Sequence, residues 1–349
     1  MGRSVQGCLV VQGCLVVLLV LAACGGGGTV SDGVGGGWGW TDWYDYNDPW
    51  GWYPYALTAG DFDADDRLDV AVADEKDGAV YLLRGTSSAK LEDASSAPFI
   101  GRTEPRWIDA GRFNEDRLRD LVLVGEDSST VEIYLADESG GFLPAPRDAP
   151  LIVRAGVRDV CVGDLDGDTF TDLVVLDGAG TLRVLRCDGR GGFSAMRGTV
   201  DLSDLMPDTR RGGIALACAA FDDKRGLDIA VVSQATGQVF VLSGRGDGTL
   251  VRGFVVSARI PSLLLDAAAC VCPDDSHLVL LYRPADSRTA YVTRLALRGE
   301  DAGSFTRALD VGEARGITAV DLDGDTLPDL LVVDPTTGAL RVYRARRRV

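Results

Sequence analysis

Apolar residues in this chain fall in short runs broken by Gly, Asp and Pro, and few stretches hold the 3.6-residue period of a helix. After Asp172 the chain reads LVVL, a turn at Asp177–Gly180, TLRVLR and then DGRGGF; after Asp329 it reads LLVV, DPTTG and ALRVYR. Such runs predict short strands joined by hairpins. The unit recurs six times, about fifty residues apart, with an Asp-rich loop or its degenerate equivalent, followed in the first five by a Gly-rich turn. That turn ends in Leu91, Phe142, Phe193, Leu250 and Phe305, which lie 30, 30, 29, 30 and 36 residues after the first loop position. Four strands in about fifty residues, repeated radially, predict an all-β fold: a β-propeller of about six four-stranded blades. The last repeat has room for three strands only, while residues 38–54 precede the first inner strand. The N-terminal segment is therefore expected to supply the missing outer strand and close the ring, removing exposed edges.

Three acidic loops are intact. They are DFDADDRLD (61–69), DLDGDTFTD (164–172) and DLDGDTLPD (321–329). Each puts carboxylates at positions 1, 3, 5 and 9: Asp61, Asp63, Asp65 and Asp69; Asp164, Asp166, Asp168 and Asp172; Asp321, Asp323, Asp325 and Asp329. Four carboxylates in one tight loop tolerate proximity around a hard cation, and calcium suits them because it takes six to eight oxygens in flexible geometry. An EF-hand begins the same way but needs Glu at position 12, where this chain has Val72, Val175 and Val332. Asx-type turns without metal are the alternative. The other three loops are degenerate. The loop at 112–120 has Arg112 at position 1 beside Asn114, Asp116 and Asp120; the loop at 220–228 has Ala220 and Lys224 beside Asp222 and Asp228. Arg112 and Lys224 are expected to neutralise the surviving acids while the loop keeps its fold. The loop at 269–277 has no acid at positions 1, 3, 5 or 9 and carries His277 at position 9, read as a packed or surface residue.

Taken together, the loops and their recurrence over residues 55–349 resemble FG-GAP or VCBS-type repeats, the calcium-loop blades of integrin α-subunit heads and many bacterial surface proteins. The resemblance implies about three structural calcium ions. It implies that positions 1, 3, 5 and 9 donate side chains and that position 7 donates a backbone carbonyl, here from Arg67, Phe170 and Leu327.

The chain opens with an address. Residues 1–23 hold Arg3 and the apolar run Leu9–Ala23, followed by Cys24; Leu21–Cys24 resembles the lipobox of bacterial lipoproteins. The resemblance implies cleavage before Cys24, lipidation of Cys24, stable anchoring to a membrane and, with no Asp after Cys24, an outer-membrane location on its periplasmic or surface face. Residues 24–37 are the lipidated Cys and a Gly-rich tether, leaving 38–349 as the propeller.

A net charge of −17 argues against nucleic acid as a partner, and three bound divalent ions would bring it to about −11. Cys161 and Cys218 lie in apolar runs and read as buried free thiols, with no disulfide framework inferred. Five of the six Trp lie between Trp38 and Trp52, as a closing strand and hydrophobic plug, a stacking surface for sugars or protein, or an extension of the tether. With a single His there is no triad and no histidine-rich metal site, so catalysis is not expected. The expected function is a monomeric, membrane-anchored binding or adhesion module for a protein partner at the cell envelope. A lectin-like propeller binding a glycan, or a scaffold of an envelope complex, are the alternatives.

Overall fold

The computed structural model describes residues 38–47 and 53–347, apart from 77, 89, 94–98, 101–104, 126–128, 138–139, 146–150, 154–155, 197–198, 204–213, 223–225, 259–262, 273–274, 298–301 and 304–308. The expected leader, Cys24, its tether, Lys224 and Phe305 lie outside the described residues. Among the described residues there is no α-helix, and none long and apolar enough to cross a membrane.

Strand β1 (Trp38–Asn47) comes first. Blade 1 is β2 (Pro54–Gly60), β3 (Asp69–Asp74), β4 (Ala79–Gly85) and β5 (Leu91–Asp93), with β6 (Phe99–Ile100) also on β4. Blade 2 is β7 (Pro105–Gly111), β8 (Asp120–Gly125), β9 (Thr130–Ala136) and β10 (Phe142–Pro144), with β11 (Leu151–Ile152) on β9. Blade 3 is β12 (Val157–Gly163), β13 (Asp172–Asp177), β14 (Thr181–Cys187) and β15 (Phe193–Ala195), with β16 (Val200–Asp201) on β14. Blade 4 is β17 (Ile214–Ala219), β18 (Asp228–Ser233), β19 (Gln238–Gly244) and β20 (Leu250–Ser257). Blade 5 is β21 (Leu263–Cys272), β22 (Asp275–Arg283), β23 (Tyr291–Ala296) and β24 (Leu309–Asp310). Blade 6 is β25 (Gly316–Val320), β26 (Asp329–Asp334) and β27 (Ala339–Arg347), completed by β1.

The six sheets form the expected β-propeller, with the N-terminal segment as the last outer strand. β1 runs antiparallel to β27 from Trp38 opposite Arg347 to Asn47 opposite Ala339, with one register shift between Trp40 and Asp42. The first strands of all six blades touch in sequence and line a central channel. Four of the sequence landmarks, Leu91, Phe142, Phe193 and Leu250, each begin the fourth strand of a blade.

Second strands explain the unbroken apolar runs. β3, β8, β13, β18 and β26 are buried at every position, because a second strand is covered by neighbouring blades on both faces. Alternate residues feed alternate seams: Leu278 and Leu280 pack towards blade 4, whereas Val279 and Leu281 pack towards blade 6. Six apolar clusters result, one at each seam, in place of a single core.

Two expectations are corrected here. Cys161 and Cys218 are not free thiols: they form a disulfide between β12 and β17, with Cα atoms 5.8 Å apart. Nothing in the local sequence pairs them; the adjacency of two inner strands does. Cys187 is a buried free thiol that donates to the carbonyl of Phe113, and burial pushes its pKa up to about 11. The segment 269–277 is not a loop. β21 and β22 pair from Leu263 opposite Arg283 to Cys272 opposite Asp275, with one register shift between Leu264 and Asp266, so the hairpin zips up where positions 1, 3, 5 and 9 carry no acid to wrap a cation. His277 is buried within it.

Candidate metal centres on one face of the ring

Each acidic loop joins the first and second strands of a blade, and the loops of blades 1, 2 and 3 are tied in succession. The carbonyl of Asp61 accepts the amide of Arg119 at 2.9 Å, and that of Arg112 accepts the amide of Thr171 at 2.9 Å. These bonds link position 1 of one loop to position 8 of the next and place the loops on one face. The position 2 side chain anchors each loop from below: Phe62 packs edge-on against Phe142 of the next blade, and Phe113 against Phe193, with centroids 5.6 and 5.4 Å apart.

The position 9 Asp holds the loop to its blade. Asp69, Asp172 and Asp329 accept the position 2 amide through one oxygen, from Phe62, Leu165 and Leu322. Through the other they accept the third-strand amides of Gly85, Cys187 and Ala345. Asp120 and Asp228 do the same in the degenerate loops, with Phe113 and Ala136, and with Phe221 and Gly244. Position 9 is thus a structural cap in five blades as well as a candidate ligand in two, blades 1 and 3. Burial raises Asp69, Asp120 and Asp172 to about 6, and their amide partners pull the other way.

Position 1 shapes the loop. Asp61 accepts the amides of Asp65 and Asp66, Asp164 those of Gly167 and Thr169, and Asp321 those of Asp325 and Thr326. The chain turns through left-handed backbone at position 4 (Ala64, Gly167, Gly324) and position 6 (Asp66, Thr169, Thr326). Non-glycine residues there carry a conformational cost that the position 1 carboxylate offsets. The loop at 112–120 has neither left-handed residue, contrary to the expectation that it keeps the same fold. With no carboxylate at position 1, Arg112 reaches instead for the carbonyls of Asp116 and Glu115, at 3.1 and 3.4 Å, and lies 5.3 Å from the ring centre of Phe170. It caps backbone carbonyls rather than neutralising the surviving acids.

Carboxylate oxygens of Asp61, Asp63 and Asp69 lie within 4.8 Å of one another, as do those of Asp164, Asp166 and Asp172, and of Asp321, Asp323 and Asp325. Oxygens about 2.3–2.6 Å from a calcium ion fall within about 5 Å of each other, so these sets fit that ion. Asp63 Oδ1 is buried with no hydrogen-bond partner, a carboxylate oxygen that a cation would satisfy. Asp65, Asp168 and Asp329 stand outside these sets: Asp65 pairs with Arg67, Asp168 with Arg186 and Asp329 with Arg344. At position 7 the amides of Arg67, Phe170 and Leu327 donate to the position 5 carboxylates, which orients the loop's inner turn.

Two groups of residues escaped the sequence reading. One is the set of third-strand arginines that reach into the loops. The other is a trio of channel acids, Asp109, Asp159 and Asp266. They sit on the innermost strands and line a central cavity of about 610 Å³ whose wall also includes Arg106, Arg158 and Arg315. Burial raises Asp109 to about 6 and Asp266 to about 7, and it raises Asp159 well above its ordinary value, with the charge of Asp266 adding to the effect. An isolated Asp within an apolar first strand was the available signal.

Residues 112–175 match the FG-GAP-like repeat family, from the start of the second loop into β13. The chain is a six-bladed propeller that carries this repeat. No curated protein matches the sequence. Among solved structures it is similar to BBS1N in complex with ARL6DN. The lead-soaked crystal is 14% identical with a TM-score of 0.54, and the mercury-soaked crystal is 16% identical with 0.53. Both alignments cover 88% of this chain and 98% of the other. The SapL1 lectin in complex with alpha methyl fucoside is 15% identical with a TM-score of 0.49, over 80% of this chain and 88% of that one. The likeness to BBS1N is one of fold.

Proposed function

We propose that this chain is a non-catalytic binding module, a propeller stiffened on one face by about three calcium ions. It is tethered through lipidated Cys24 to the outer membrane and presents that face to a protein partner at the cell envelope. The observation that carries the reading is the set of three carboxylate clusters in the loops that join first and second strands of a closed ring. Asp61, Asp63 and Asp69 would hold one ion, Asp164, Asp166 and Asp172 a second, and Asp321, Asp323 and Asp325 a third. Bound calcium supplies charge neutralisation, which lets each loop keep its acids together. The chain's own residues do the rest. Position 9 fixes each loop to its blade, position 1 sets its turn, and the bonds between the loops of blades 1, 2 and 3 stiffen that part of the face, which lowers the ordering cost of binding. The single His is buried in β22.

Calcium titrated into the chelator-stripped full chain by calorimetry, with melting followed in parallel, tests the metal. About three ions and a large rise in melting temperature support the reading. No binding with an unchanged melt would leave the loops as turns. Radiolabelled palmitate incorporation that persists in Cys24→Ser would overturn the anchor. Proximity labelling from the tethered chain tests for the protein partner; retention on glycans with no labelled protein would overturn that part.

A further inference from the structure

The three intact loops share a feature that the degenerate ones lack. The third-strand residue just before the amide that caps position 9 is Arg84 in blade 1, Arg186 in blade 3 and Arg344 in blade 6. In the blades of the 112–120 and 220–228 loops it is Leu135 and Ser243. The arginines point back at the carboxylates. Arg84 Nε lies 3.1 Å from Asp63 Oδ2. Arg186 forks, with Nε 2.6 Å from Asp166 Oδ2 and Nη2 2.8 Å from Asp168 Oδ2. In blade 6 Arg344 is buried against Asp329 at 2.7 Å and reaches Asp323 at 3.7 Å. Arg346 Nη1 takes the fork, 3.0 Å from Asp323 Oδ2 and 3.3 Å from Asp325 Oδ2. Arg67 supplies the pairing of Asp65 in blade 1. Every carboxylate at positions 3 and 5 of an intact loop is therefore paired with an arginine through its Oδ2.

The position 5 oxygens show what this pairing excludes. Oδ1 of Asp65, Asp168 and Asp325 accepts the position 7 amide, and a guanidinium stands against Oδ2, where it competes directly with a cation approaching that oxygen. Ser243 marks the contrast: its hydroxyl donates to Asp222 at 2.9 Å, and no described cation enters that loop.

Resting on the calcium reading above, we infer that Arg84, Arg186 and Arg346 are exchange residues. In the metal-free protein Arg84 neutralises position 3, and Arg186 and Arg346 neutralise positions 3 and 5, and they are released when a divalent cation enters. The exchange keeps the loop folded in both states and lowers the metal affinity, so the site responds to changes in calcium instead of staying saturated. Release frees a guanidinium on the loop face; Arg84, Arg186 and Arg346 side chains are 47%, 52% and 43% exposed even when paired. Calcium would thus change the charge that the face presents to a partner.

The test is calcium titration of the full chain by calorimetry, comparing wild type with Arg186→Leu, which installs the residue of blade 2, and with Arg84→Leu as the second variant. A unit charge about 6 Å from a divalent ion in a water-like dielectric opposes it by roughly a factor of ten in affinity. Each variant is expected to bind calcium roughly tenfold more tightly at one of the three sites. Each should also melt lower than wild type in chelator and close to wild type in saturating calcium. Unchanged or weaker affinity, with wild type still binding about three ions, would overturn the exchange and make the arginines positioning residues. Calcium binding absent from wild type and variants alike would overturn the metal reading itself.

Discussion

Asp159 of the third blade accepts the backbone N–H of Leu216 of the fourth at 2.6 Å, so a carboxylate closes a seam between two innermost strands. Asp266 does the same for Ile317 across the fifth seam at 3.0 Å, and Asp109 for Val162 across the second. Each also accepts the amide of the residue that follows it, Val160, Ala267 and Ala110. Adjacent first strands have no ladder between them, and these acids provide hydrogen bonds where the sheet cannot.

Burial raises these seam acids, so the fold favours their protonated forms. For Asp266 the folded value is about 7 against an ordinary 3.8. Its contribution to stability is therefore full below about pH 4 and is lost as the pH rises through about 7. Asp109 and Asp159 share the channel wall with it and push in the same direction, while Arg106, Arg158 and Arg315 also line the cavity. In denaturant titrations from about pH 4 to 8, wild type should lose stability relative to Asp266→Asn as the pH rises. A difference that stays flat over this range would show that Asp266 does not titrate with folding.

The Cys161–Cys218 bond staples the seam that Asp159 closes, and it encloses a separation of 57 residues. Chain-entropy arguments give such a crosslink about 4 kcal/mol. The double variant Cys161→Ala, Cys218→Ala should lose stability of that order in urea, and reductant should lower the wild type while leaving the variant unmoved.

Asp120 is fully buried in a blade without a metal cluster among the described residues, and accepts amides from Phe113 at 2.8 Å and Ala136 at 2.9 Å. Asp120→Ala leaves two buried donors unpaired, at about 1–3 kcal/mol each. A loss of about 2–5 kcal/mol with unchanged calcium stoichiometry is expected. A change in the number of ions bound would show that the loop holds metal after all.

Deleting residues 38–47 removes β1 and exposes the edge of β27 along its whole length. The shortened chain should melt lower and self-associate, measured by light scattering during size-exclusion chromatography. A monomer that melts like wild type would mean that the ring closes without β1.

Some of this protein is determined by sequence alone. Strand period, turn residues and repeat spacing are local properties, so the six blades, their fourth-strand starts at Leu91, Phe142, Phe193 and Leu250, and the closing role of β1 are all readable from the chain. The carboxylate spacing of the acidic loops is equally local, and positions 1, 3 and 9 do converge in the loops of blades 1 and 3. What only tertiary structure decided depends on partners distant in the chain. Cys161 meets Cys218, Asp159 meets Leu216, and Arg186 returns to Asp166 from two strands away, because the winding of the ring sets which residues lie side by side. The zipped hairpin at 269–277 belongs here too: without acids at positions 1, 3, 5 and 9 to hold it open, backbone pairing outcompeted the repeat's own spacing. Periodicity fixes which face a residue shows, whereas the neighbour on that face is chosen by the packing of one blade on the next.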